Sequence, residues 1–198
     1  MKSNHSLYQT LKDRRLCLAS ASPRRLDLLR QVGLQPEVRP AHLDESRLPD
    51  EAVLAYVQRM AISKAHAAAE AGDDLVLAAD TIVVLEGALL GKPQDADDAV
   101  RMLHRMAGQQ HEVYTAVAVW QPDRQKLAQC TVQSRVWIKA MSAEEIAAYV
   151  ASGEPLDKAG SYGIQGIGAA LVARMEGSCS GVAGLPLCET LALLLDFT

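Results

Sequence analysis

Six ionisable residues stand where local folding rules would not place them: Arg24, Arg25, Glu45, Lys64, Asp80 and Lys92. The arginines follow Ser22-Pro23 in LASASPRRLDLLRQVG, residues 18–33. Serine then proline is a helix-start signal. Leu26, Leu28 and Leu29 supply the apolar face, and Gly33 can end the helix. A helix start carries about half a positive charge, so two cations there are disfavoured unless an anion offsets them. Free backbone N–H groups at a helix start bind phosphate, and guanidinium matches its oxygens in a bidentate way. The stretch admits two readings: the pair holds a phosphate, or both side chains point into water.

Lys64 is the second anomaly. On a helix expected over 49–71, Val53, Val57, Met60, Ala61 and Ala68 share one stripe, with Lys64 near its middle and Arg59 and His66 opposite. A lysine on a core face either snorkels or meets an anion. Asp80 is the third, a single acid in LVLAADTIVVL (75–85). An unpaired buried carboxylate costs several kcal/mol, so Asp80 is expected at a strand end, facing a cleft beside a cation or metal, or else capping a buried turn. Lys92 lies between Gly91 and Pro93, where the backbone is fixed on one side and open to a ligand on the other. Asp44 and Glu45 in HLDESR suit a divalent ion or are solvated loop acids. In GSYGIQGIG (160–168), four glycines surround Gln165, whose amide both donates and accepts hydrogen bonds. The glycine spacing is not a dinucleotide fingerprint. The histidines lack metal spacing, and His104 and His111 are expected at the surface. Four cations against two or more carboxylates is what a polyphosphate with Mg²⁺ requires. Walker and kinase motifs are absent, so scattered side chains and one helix start must do the holding.

The elements that must position these residues are interspersed strands and helices. Short strands are expected at 16–19 and 36–39, with a helix at 23–32 between them and the long helix after. Strand material at 75–79 and 81–85 is broken by Asp80, and EGALLGKP (86–93) has hairpin character with Gly87 at its turn. A helix over 95–106 precedes strands at 113–120 and 130–138, which are joined by a polar turn at 121–126. Ser142 and Glu145 form a capping box for a helix to about 152. A glycine-rich loop (157–170), short strands at 171–175 and around Val182, and an apolar helix at 190–197 complete the chain. The pattern implies an α/β fold with a mixed sheet. There is no internal repeat and no low-complexity tract.

The 198 residues suffice for one large domain or two small lobes around a shared core. A net charge of -4 argues against a general nucleic-acid binder. No apolar run approaches the roughly 20 residues of a membrane helix. The polar N-terminal residues 1–14, a loose or partly helical extension, lack a signal peptide's apolar stretch. Four cysteines without a CxxC pair read as buried or inert thiols in a reducing cytosol rather than a zinc site.

LASASPRR, AADTIVV, GKP, DKAGSYGIQGIG and VAGLPLCET, in this order, resemble the motifs of the Maf family of nucleoside triphosphate pyrophosphatases. The resemblance runs from about Leu16 to the C-terminus. It implies an α/β fold with a mixed twisted sheet and flanking helices, in two lobes around a central cleft, like inosine triphosphate pyrophosphatases. Residues 1–15 would be an N-terminal extension and 16–198 a single catalytic domain of two lobes. It implies hydrolysis of a nucleoside triphosphate to monophosphate and pyrophosphate with a divalent cation, Mg²⁺ or Mn²⁺. Asp80 falls on the catalytic proton acceptor. Ser20, Arg25, Lys64 and Lys92 fall on phosphate-binding positions, and Glu45, with Asp80, on the metal side. Whether Asp80 serves as general base or metal ligand stays open. Arg24, Thr81 and Gln165 fall on the positions that separate substrate branches, and here they match the dTTP/UTP branch. The branch acting on 7-methyl-GTP carries tryptophan for the first arginine and glutamate for the glutamine. ISKA (62–65) lacks the acid that commonly precedes the lysine. The expected partner is a nucleoside triphosphate, normal or a modified pyrimidine nucleotide, with neither nucleic-acid polymer nor membrane. The family also allows a homodimer. The rival reading is a non-catalytic nucleotide-binding regulator of cell division and septum formation.

Overall fold

Aliphatic and β-branched runs build the sheet of this computed structural model, which describes residues 9–12 and 14–197. Its strands are β1 (Leu16–Leu18), β2 (Glu37–Val38), β3 (Leu75–Leu85), β4 (Ala88–Leu90), β5 (Gln110–Gln121), β6 (Lys126–Ile138) and β7 (Val172–Glu176). The helices are α1 (Gln9–Lys12), α2 (Pro23–Gln31), α3 (Val53–Ala67), α4 (Ala96–Met106), α5 (Ala143–Ala151), α6 (Cys179–Val182) and α7 (Leu187–Leu195). Strand order is β2-β1-β3-β5-β6-β7, with β4 paired to β3. β1 runs parallel to β2 and β3, with Cys17 opposite Glu37 and Val76. The β3–β4 and β6–β7 pairs are antiparallel, so the sheet is mixed, as expected. The expected extension over 1–14 lies largely outside the described residues; within them Gln9–Lys12 makes one helical turn.

The chain divides into two compact units. The first takes the described residues up to Asp80, then Ala116–Thr131 and the chain from Gly184 on; the second takes Thr81–Thr115 and Val132–Ala183. The chain of β3 therefore passes from one unit to the other between Asp80 and Thr81. In the first unit, β1, α2, α3 and β3 bury Leu18, Leu29, Met60 and Leu77 completely. In the second, α4 and α5 bury Leu103, Met106, Ile146 and Tyr149 in one cluster with Val83, Val136, Ile138 and Tyr162. Asp95 caps α4 through the Asp98 N–H, and the expected Ser142–Glu145 capping box starts α5. Leu103→Ala would open a cavity costing about 2–5 kcal/mol.

Four local expectations need correction. First, β3 is continuous through Asp80, which sits mid-strand rather than at a strand end. A lysine from α3 meets its carboxylate, so the strand has no reason to stop. Second, α3 starts at Val53 rather than near Pro49 and ends at Ala67. Residues 47–51 are instead tied down by side-chain bonds to the backbone and to Arg59. Third, the segment around Val182 is helical, because the Ser178 hydroxyl accepts the Gly181 N–H and caps it. Fourth, His111 is buried, at 1% exposure, where surface exposure was expected. β5 begins at Gln110, three residues before the expected start, so His111 points the same way as buried Val113 and Thr115. The Glu86–Gly87 turn has positive φ at both residues, 50° and 78°, the conformation that joins tight hairpins.

Candidate phosphate and catalytic site

α3 buries Val57, Met60, Ala61, Lys64 and Ala65 along one stripe, which carries the lysine inward. Lys64 and Asp80 are each 8% exposed. Lys64 Nζ lies 2.7 Å from Asp80 Oδ1 and 3.1 Å from Glu45 Oε2. One ammonium thus joins a buried carboxylate to an exposed one. Burial raises the Asp80 pKa above the usual aspartate value; Lys64 and Arg25 pull it down without overcoming burial, and Glu45 pushes it further up. A carboxylate with a raised pKa is a stronger proton acceptor.

The loop after β1 adds the cationic side. Ser20 is buried, and its Oγ accepts both the Ser22 N–H at 3.2 Å and Arg25 Nη1 at 2.9 Å. Ser22 occupies the N-cap position of α2 with Pro23 next, as the sequence predicts, but its side chain makes no cap bond. Arg25 Nε donates to the Gly184 carbonyl at 2.8 Å, holding the guanidinium against the chain. Burial lowers the Arg25 pKa, opposed by Asp80 and Glu45 and reinforced by Arg24. Ser20, Arg24, Arg25, Glu45, Lys64 and Asp80 therefore share one electrostatic neighbourhood within the first unit. Arg24, Arg25 and Lys64 bring three cations to this neighbourhood, and Glu45 and Asp80 bring two carboxylates.

Sequence reasoning passed over the residues that hold Glu45 in place. Tyr56 Oη donates to the Glu45 carbonyl at 2.8 Å. Arg59, three residues on, binds both Glu51 carboxylate oxygens, at 2.6 and 2.7 Å, and the Ser46 carbonyl at 3.0 Å. Arg59 also holds the Glu51 pKa down to about 2. The three-residue spacing of Tyr56 and Arg59, just after an acid-rich loop, was the available signal.

The second unit holds Thr81, Lys92 and Gln165. Thr115 Oγ1 donates to the Gly181 carbonyl at 2.8 Å, so in its 3.0 Å contact with Thr81 Oγ1 it accepts. Lys92 is exposed beside Gly91, whose carbonyl accepts the Gly160 N–H at 3.0 Å. Gln165 is exposed in the glycine-rich loop. Lys92 and Gln165 thus belong to the second unit, Lys64 and Arg25 to the first. Among the described residues, no three His, Cys, Asp or Glu gather as a ligand set. Glu45 and Asp80 are the acids of the group: two hard oxygen donors that a cation also held by phosphate oxygens would need.

The description "Maf-like protein" fits residues 15–197. The chain is 50% identical over 184 residues to a dTTP/UTP pyrophosphatase of Shigella dysenteriae serotype 1, covering 92% of each. It is 53% identical over 183 residues to a dTTP/UTP pyrophosphatase of an Anaeromyxobacter species, covering 91% of this chain and 88% of that one. The structure of the Staphylococcus aureus Ham1 protein superposes with a TM-score of 0.55 at 12% identity, over 93% of this chain and 100% of that one, a likeness of fold. With a family match over nearly its whole length and relatives half identical to it, this chain belongs to the Maf-like protein family.

Proposed function

We propose that this chain hydrolyses pyrimidine nucleoside triphosphates, dTTP and UTP, to the monophosphate and pyrophosphate. The observation that carries this is the Glu45–Lys64–Asp80 group beside Ser20 and Arg25, in a chain half identical to enzymes named for that reaction. Water adds to phosphorus at the α–β anhydride, its proton passes to Asp80, and the bond to the leaving pyrophosphate breaks. Lys64, Arg25 and Lys92 bind phosphate oxygens and offset the charge that builds on the leaving group. Ser20 holds the Arg25 guanidinium in place. Glu45 and Asp80 would hold a divalent cation, Mg²⁺ or Mn²⁺, which when bound polarises the phosphoryl oxygens. Arg24, Thr81 and Gln165 select the substrate, Gln165 by pairing its amide with the donor and acceptor of a uracil or thymine edge.

Relatives half identical to this chain and named for the hydrolysis favour catalysis over mere nucleotide binding. Four free cysteines suit a reducing cytosol. Among the described residues no helix is long and apolar enough to cross a membrane. The test is pyrophosphate release from a panel of normal and modified triphosphates at matched concentration with Mg²⁺. Release from dTTP and UTP above the purine nucleotides supports the reading, and tight binding with no release contradicts it.

A further inference from the structure

We infer that Glu154 is a positioning residue for substrate choice: its carboxylate anchors the glycine-rich loop on both sides of Gln165. This rests on the proposed base-reading role of Gln165.

Glu154 opens a short 3-10 turn two residues after α5 gives way to Ser152 and Gly153. Its Oε1 accepts the Gly168 N–H at 2.9 Å and Tyr149 Oη at 3.0 Å, and its Oε2 accepts the Ile167 N–H at 2.8 Å. Tyr149 Oη in turn accepts the Gly163 N–H at 3.2 Å. The loop is thus pinned at Gly163 before Gln165 and at Ile167 and Gly168 after it, all through one carboxylate and the phenol it holds. Gln165 itself is exposed between the pins. The glycines of this stretch follow from the same contact. Gly166 has φ 73°, and a Cβ there would sit 2.7 Å from Glu154 Oε2. A Cβ on Gly168 would collide with the Gly163 backbone and the Tyr149 hydroxyl. Burial works against charge on Glu154, yet the Gly168 and Ile167 N–H groups and Tyr149 hold its pKa below the usual value. Three donors converge on two oxygens, which a carboxylate accepts and a carboxamide cannot, since its NH₂ would face a donor.

The test compares wild type, Glu154→Gln, Tyr149→Phe, Gln165→Ala and the Glu154→Gln/Gln165→Ala pair, reading kcat and KM for UTP and CTP. Glu154→Gln is expected to raise KM for UTP about tenfold with kcat within about threefold, and to narrow the UTP-to-CTP ratio of kcat/KM by about tenfold. Tyr149→Phe, which keeps the carboxylate, is expected to narrow it about threefold and stands in if Glu154→Gln does not fold. In the Gln165→Ala background, Glu154→Gln should narrow the ratio no further. A proportional loss on both nucleotides would show a structural role only and overturn the inference. If Gln165→Ala leaves the ratio unchanged, base reading fails and the inference falls with it. If Gln165→Ala narrows the ratio and Glu154→Gln does not, the inference alone fails. Should wild type release no pyrophosphate, the proposed activity falls, and the ratio of UTP and CTP dissociation constants tests Glu154 by itself.

Discussion

Asp80 and Glu154 are both carboxylates that accept specific hydrogen bonds, and the two regions use them in opposite ways. Asp80 lies in the first unit with a side-chain cation as partner, and burial leaves its pKa raised. Glu154 lies in the second unit with backbone N–H groups as partners, and its pKa is lowered despite burial. A lysine at the end of four methylenes can follow a proton or a phosphate, whereas a backbone N–H cannot move without the loop. The difference teaches that depth of burial and partner type together decide whether a carboxylate can react or only hold.

The comparison breaks first at Asp80. Asp80→Asn should lower kcat for UTP about 10³-fold with the fold intact by circular dichroism, since general bases supply about 10²–10⁴. Near-wild-type turnover would remove Asp80 from the chemistry. Lys64→Met should cost about 3 kcal/mol of stability in a urea titration, because it strands a buried carboxylate; Lys64→Met/Asp80→Asn should recover most of it. Full additivity would deny the pairing.

His111 sharpens the comparison, being buried with no charged partner among the described residues. Its Nε2 meets Tyr162 Oη at 2.7 Å, its Nδ1 has no partner among the described residues, and burial pushes its pKa down to about 4. The unfolded chain takes up the proton first, so stability should fall as pH drops from about 6.5 through about 4, by at most roughly 3 kcal/mol. His111→Phe should flatten the urea midpoint over that window. The smallest effect is expected from Tyr56→Phe, which loosens the Glu45 loop by about 1 kcal/mol and should raise several-fold the Mg²⁺ concentration for half-maximal pyrophosphate release.

Much of the first unit's site was legible because charge violates periodicity there. Lys64 stood out on an apolar stripe, and Asp80 in an apolar strand. Their pairing was not legible, so the strand was expected to break where it runs on. Arg25 was visible as a cation at a helix start, but its carbonyl partner Gly184 lies 159 residues away. His111 obeys strand alternation and was misplaced only because the strand starts earlier than Val113. Val182 looked like a strand residue until a serine cap outweighed β-propensity. Glu154 left no trace in side-chain patterning, because its loop partners are backbone N–H groups that every residue but proline owns.

The most direct test is the pH dependence of kcat/KM for UTP at fixed Mg²⁺, which reports the free enzyme's essential groups. A proton acceptor with a raised pKa must lose its proton to work, so activity should fall on acidification through a limb above the ordinary aspartate value of 3.8, and Asp80→Asn should abolish that limb. A limb at or below that value, or one that survives in Asp80→Asn, would contradict the account.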